Sequence, residues 1–238
     1  MIFVLHENIL DVIWKYLSKK DCYNVSFSCK TLLEFGLSRR LMVTERLIRF
    51  NPTAMYVEDK VAIIENLMEV TFGWEFNQSL QGMSFPCLAH LTFGNNFNKS
   101  LQGISFPNLI HLTFGDEFNK SLQNISFPDL IHLTFGWYFN QCLQGISFAY
   151  LIHLTFVWYF NQSLDNMSFP RLTELTFGYK FNQFPQGISF PNITHLTFGY
   201  HFNQFLDNVS FPHLTKLTLD KNYNGDLNGF DSVEIVRY

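Results

Sequence analysis

Five of the eight histidines fall on one spacing: His90, His111, His132 and His153 follow one another at 21 residues, and His195 lies two intervals further on. Glu69, Glu174 and Lys216 occupy the same place at the remaining intervals. If each stood on its own strand, neighbouring imidazoles would be about 4.8 Å apart, close enough to share a metal ion or to titrate as a group near neutral pH. The pattern does not favour a metal. No ligand set is distinguished from the rest, no carboxylates stand behind the rings, and every interval is as eligible as the next. The expectation is a solvated ladder made by repeat duplication, usable as a protein contact that responds to pH, with no metal and no cofactor. The chain also has no phosphate-binding loop, dinucleotide fingerprint, nucleophile elbow or cysteine-rich zinc pattern, so no enzyme activity is expected.

What positions the histidines is a repeat. Aligned on its most regular tetrapeptide, the chain has starts at Val70, Leu91, Leu112, Leu133, Leu154, Leu175, Leu196 and Leu217, without insertion. The unit reads L-T-F-G-x-x-F-N-Q-x-L-x-x-x-S-F-P-x-L-x-x. Three of its columns, headed by Phe72, Phe76 and Phe85, hold 21 of the 28 phenylalanines. A period of this length is too short for a propeller blade or a helical pair and falls in the leucine-rich-repeat range. The alternation in L-x-x-L-T-F reads as a short strand with one buried face, and glycine and the Ser-Phe-Pro block rule out a helix on the return. Seven apolar positions per unit require stacked neighbours to bury them. The asparagine column from Asn77 to Asn224 follows an aromatic in every unit and is expected as a buried ladder satisfying backbone groups.

Specificity can be written where a monotonous unit varies. The fifth and sixth positions do so, with Trp74, Trp137, Tyr138, Trp158, Tyr159, Tyr179 and Tyr200 among Glu75, Asp116, Glu117 and Lys180. Aromatic side chains dominate interface energetics. A target protein is therefore expected over the fourth and fifth units, anchored by Trp137, Tyr138, Trp158 and Tyr159, with His132 and His153 beneath and the glycine column forming a shallow floor.

The array resembles the FNIP repeats, divergent relatives of leucine-rich repeats named for a Phe-Asn-Ile-Pro stretch that appears here as FNQ or FNK. It departs from the unit at Ala149, Val157, Phe184-Pro185 and Tyr223.

Residues 5 to 36 carry another periodicity. Ile9, Leu10, Ile13 and Leu17 form a helical stripe, Asp21 stands where an N-cap would open a second helix, and Val25, Phe27 and Cys29 extend the apolar set. The spacing from Leu5 to Cys29-Lys30 resembles an F-box, with His6 in place of the usual proline. That resemblance implies docking onto a Skp-type adaptor of a cullin-based ubiquitin ligase through Leu5, Ile9, Leu10, Ile13 and Leu17. Proteins pairing these two elements are typical of giant amoeba-infecting viruses and of social amoebae, which implies a viral origin.

The expected architecture is α+β: an F-box-like helical domain at 1–36, a helical connector and cap at 37–69, a leucine-rich-repeat-like solenoid at 70–228 with one short parallel strand per unit, and a C-terminal cap or tail at 229–238. Residues 1–69 hold nine basic and nine acidic side chains, and the remainder seven against eleven. A nucleic-acid surface would need clustered cations, so none is expected, and no apolar run approaches the roughly 18 residues of a membrane span. Cys22, Cys29, Cys87 and Cys142 form no CxxC pair and read as reduced thiols in a cytoplasmic or nuclear setting, host cytoplasm if the protein is viral. The expected function is a substrate-recognition adaptor of a ubiquitin ligase. The alternative is a binding scaffold or decoy whose amino-terminal helices only cap the solenoid.

Overall fold

The computed structural model describes residues 26–28, 49–50, 68–183, 190–206 and 210–238. Within them, one strand per unit stacks on the next. These are β3 (Glu69–Phe72), β4 (His90–Thr92), β5 (His111–Thr113), β6 (His132–Phe135), β7 (His153–Phe156), β8 (Glu174–Thr176), β9 (His195–Thr197) and β10 (Lys216–Leu219). All pair in parallel with a register shift of one repeat, so that Leu91, Leu112, Leu133 and Leu154 face one another in line. We number the coils 1 to 8 from the units beginning at Val70 and Leu217. The architecture is a parallel β-solenoid with a period of about 21 residues.

The alternation expected of L-x-x-L-T-F is present: strands run half-exposed, buried, half-exposed, buried. The seven apolar columns form one continuous core. Phenylalanines of the third position stack on those of the seventh within each coil, with ring centroids 3.7–4.0 Å apart. Between coils the seventh-position rings lie 5.6–6.3 Å apart. Near-parallel rings at the solenoid's own spacing explain why the same aromatic recurs in a column, since any other shape would leave a gap on both sides.

Two glycine columns serve different purposes. At the fourth position the coils touch: a Cβ on Gly115 would lie 2.3 Å from the carbonyl oxygen of Gly94. These glycines are therefore packing contacts, half-buried or buried, and do not form the expected open floor. Where Val157 stands in that column, the following step of third-position rings opens to 6.0 Å, against 5.3–5.5 Å in the other steps. At the thirteenth position the constraint is conformational. Gly82, Gly103 and Gly145 have φ of 78–81°, Asn124 and Asn166 have 63° and 61°, and a Cβ there meets nothing. Only glycine and asparagine fill this column because both accept the left-handed region.

The asparagine ladder is present but half-buried instead of fully buried. From Asn77 to Asn182, each Asn Oδ1 accepts the backbone N–H of the asparagine one coil later at 2.8–3.0 Å. Where glutamine follows, its Nε2 donates to the same oxygen at 2.9–3.3 Å. Replacing Asn119 by Ala removes the acceptor for both Asn140 and Gln141 and leaves the Asn140 N–H without it. The expected cost is about 1–3 kcal/mol, read from the denaturant midpoint. An unchanged midpoint would show that the ladder carries no stability.

The helices expected at 5–36 and 37–67 lie almost wholly outside the described residues. Where the chain is described there, it is strand and not helix. β1 (Ser26–Ser28) pairs antiparallel with β3, and β2 (Arg49–Phe50) pairs parallel with it. The edge of the first coil presents unpaired backbone groups, and these short strands satisfy them, which outweighs a weak local helical preference. At the other end β11 (Glu234–Arg237) continues the sheet beside β10. Among the described residues there is no helix, so the expected α+β class gives way there to an all-β solenoid.

Candidate protein-binding surface

Strand alternation leaves three outward stripes. The strand begins at the histidine column, passes the threonine column, and ends at the paired fifth and sixth positions, which follow the glycine contact. Those last positions are held by the fold: from coil 2 to coil 7 the sixth-position N–H donates to the fifth-position carbonyl of the preceding coil, as from Tyr138 to Asp116 and from Tyr159 to Trp137, both at 2.9 Å. The sheet ladder thus continues through the turn, and the side chains stand as a fixed wall.

In coils 4 and 5 that wall is aromatic. Trp137, Tyr138 and Tyr159 are 45%, 44% and 41% exposed, whereas Trp158 is half-buried by its neighbours. The rings are ordered in two rows. Trp137 stacks on Trp158 at 5.1 Å, Trp158 on Tyr179 at 4.5 Å, and Tyr179 on Tyr200 at 5.1 Å. Tyr138 stacks on Tyr159 at 5.3 Å. The row accordingly runs two coils beyond the four residues expected. Because ring faces cover one another, the rows turn ring edges outward.

His132 and His153 do not lie beneath these rings. They open β6 and β7, while Trp137 and Trp158 follow the ends of those strands. Five residues of extended chain separate them, up to about 16 Å. The expected single site is two stripes.

The histidine stripe is itself ordered. His90, His111, His132 and His153 stack with centroids 4.6, 4.1 and 4.3 Å apart, and His153 Nδ1 lies 3.0 Å from Glu174 Oε2. Stacked imidazoles present faces to each other, so their lone pairs do not converge. Among the described residues no group of three His, Cys, Asp or Glu side chains is placed to hold a metal ion. Desolvation, then the neighbouring imidazoles, pushes His111 and His132 below the ordinary histidine value, with Glu174 partly opposing this for His132.

A histidine whose folded value is lowered binds protons more readily when unfolded. Stability is therefore expected to fall as pH drops through about 6.5, the unfolded value, and to stop falling below the lowered folded ones. Thermal melts at pH 7.5 and pH 5 should show a smaller drop for the His111→Gln/His132→Gln chain than for the parent. Equal drops would remove the ladder as the cause.

Sequence reasoning overlooked a second variable column. The eighteenth position reads Cys87, Asn108, Asp129, Tyr150, Arg171, Asn192, His213 and lines two shallow depressions beside the strand starts, one from Cys87 to Tyr150 with Ala89, Ile110 and Ile131, the other from Arg171 to His213 with Thr173 and Thr194. Its signal was available, since no residue type there recurs in adjacent coils. Arg171 lies over the Tyr150 ring at 4.4 Å. Leu5, Ile9, Leu10, Ile13 and Leu17 lie outside the described residues.

A parallel coil per 21 residues, stapled strand to strand and cored by leucine and phenylalanine, is a leucine-rich-repeat-like solenoid suited to binding protein. The FNIP Repeat family profile matches residues 97–131, 149–180 and 184–222, which supports FNIP repeats over those segments. Among solved structures the chain is similar to one described as "CroV588 a novel circular LRR protein structure". The two are 36% identical, with a TM-score of 0.62 over 71% of this chain and 26% of that one. The chain thus spans about a quarter of that relative. No curated protein resembles the chain closely enough to count as a match.

Proposed function

We propose that the chain is a non-catalytic recognition protein. Residues 5 to 36 recruit a Skp-type adaptor of a cullin-type ubiquitin ligase, and the aromatic wall of coils 4 and 5 captures a target protein, in the cytoplasm. The observation that carries the target-binding half is the exposed ladder of Trp137, Tyr138, Trp158 and Tyr159, held at solenoid spacing by coil-to-coil backbone bonds. A large ordered aromatic surface has few reasons to face solvent other than a partner. The adaptor half is supported by the spacing of Leu5, Ile9, Leu10, Ile13 and Leu17.

Co-purification from eukaryotic cells tests the reading. The full chain is expected to retain a Skp-type adaptor, and the Ile9→Glu/Leu10→Glu chain to lose it while the array melts unchanged. Absence of the adaptor, or its persistence through the double change, would replace the ligase role by the second reading, a scaffold or decoy. That reading is favoured by β1 and β2, which cover the edge of the first coil as a cap would.

A further inference from the structure

The wall is polarised along the solenoid. Over coils 1 to 3 its charged members are Glu75, Asp116 and Glu117, interspersed with Trp74, Asn95 and Asn96. Over coils 4 and 5 it carries no charge, only Trp137, Tyr138, Trp158 and Tyr159. Over coils 6 to 8 its titratable members, apart from tyrosine, are Lys180, His201 and Lys221. The anionic end is fixed in place: Asn96 Nδ2 donates to Glu75 Oε2 at 2.6 Å, and Asn95 Nδ2 donates to Asp116 Oδ2. At the cationic end Lys180 Nζ lies 3.4 Å from His201 Nε2 and 5.5 Å from the Tyr179 ring centre. Lys99 and Lys120 stand near the anionic end, but at the ninth position, beyond the phenylalanine that enters the core, and they form no ion pair among the described residues.

Resting on the reading that this wall is the recognition surface, we propose that its occupant is an extended peptide segment of ordered polarity, cationic over coils 1 to 3, apolar or aromatic over coils 4 and 5, and acidic over coils 6 to 8. The wall is two side chains wide and advances one coil at a time, a strip matched to a single extended chain. Seven coil steps of about 4.8 Å make roughly 34 Å, the length of about ten extended residues at 3.3–3.4 Å each. From Asp116 to Lys180 is three steps, about 14 Å, which leaves about four residues for the apolar centre. Side chains already oriented by their neighbours lose little freedom on binding, so ion pairs that are individually weak can add up along the strip.

Three synthetic dodecapeptides of one composition test this: a block peptide with lysines, then leucine and tryptophan, then glutamates; the same blocks in reverse; and a peptide with alternating charges. Fluorescence anisotropy with the full chain at low salt is expected to show one block peptide binding at least about tenfold more tightly than the alternating one. The preference should shrink in high salt. In a Glu75→Lys/Glu117→Lys/Lys180→Glu/Lys221→Glu chain, whose changed side chains all lie outside the core, the favoured block direction should reverse. Equal affinity for all three peptides, or no binding of the block peptides at millimolar concentration, overturns the proposal. Equal affinities that vanish in a Trp137→Ala/Trp158→Ala chain would discard the charge order and keep the aromatic capture. A block preference that survives those two changes would keep the charge order and discard the anchors.

Discussion

Truncating Trp137 and Trp158 together to alanine is expected to weaken target capture by at least about 2 kcal/mol, roughly thirtyfold in Kd, while leaving the solenoid folded. The two effects separate because of where the rings stand. Trp137 is 45% exposed and both rings lie outside the core, so the changes leave no internal cavity. What the fold loses is the Trp137–Trp158 stack and the Trp158–Tyr179 stack, worth about 0.5–1.5 kcal/mol each beyond area burial. What a partner loses is the centre of the ordered aromatic row. Competition binding against the parent, with parallel melts, gives both numbers. Capture at parental strength would place the recognition surface elsewhere, and the two depressions along the eighteenth position would be the next surface to test.

The largest effect on stability is expected from Phe139→Ala, about 3–5 kcal/mol. Phe139 is wholly buried, lies 3.7 Å from Phe135 within its coil, and stacks at 6.0 Å on both Phe118 and Phe160. A hole there touches three successive coils, and no side chain from elsewhere can collapse into it because each coil meets only its neighbours. Hydrogen exchange should accelerate most in coils 3 to 5 and least at the two ends. A loss under about 1 kcal/mol, or one spread evenly over the array, would contradict the picture of a nearest-neighbour spine.

The strand, the register and the inward columns were legible in the sequence because each is repeated: a weak two-residue alternation becomes decisive when it recurs at fixed spacing. Other features were visible but underdetermined. Gly115 and Gly103 look alike as letters, yet one is forced by the carbonyl of the neighbouring coil and the other by a left-handed backbone. Only the second leaves a trace in sequence, through Asn124 and Asn166 in its column. Tyr223 looks like a defect in the phenylalanine column, but it stays buried and its hydroxyl donates to the Gln204 carbonyl at 2.9 Å. The strands β1 and β2, three and two residues long, are too short to show any period. The candidate site was half legible. Which side chains vary is written in the sequence, but that the histidine and aromatic columns lie a strand length apart follows only from where the chain turns.

The uninterrupted register has an evolutionary corollary. Since each unit enters and leaves at the same point on the sheet, recombination that drops or copies a whole unit yields another closed polypeptide path, and the coils on either side of the junction meet an interface they already fit. Such an event moves the acidic, aromatic and basic sectors relative to one another in whole steps of about 4.8 Å. A lineage could therefore retune which partner fits by unequal crossing-over, changing the order and spacing of sectors in integers while the leucines and phenylalanines beneath stay as they are.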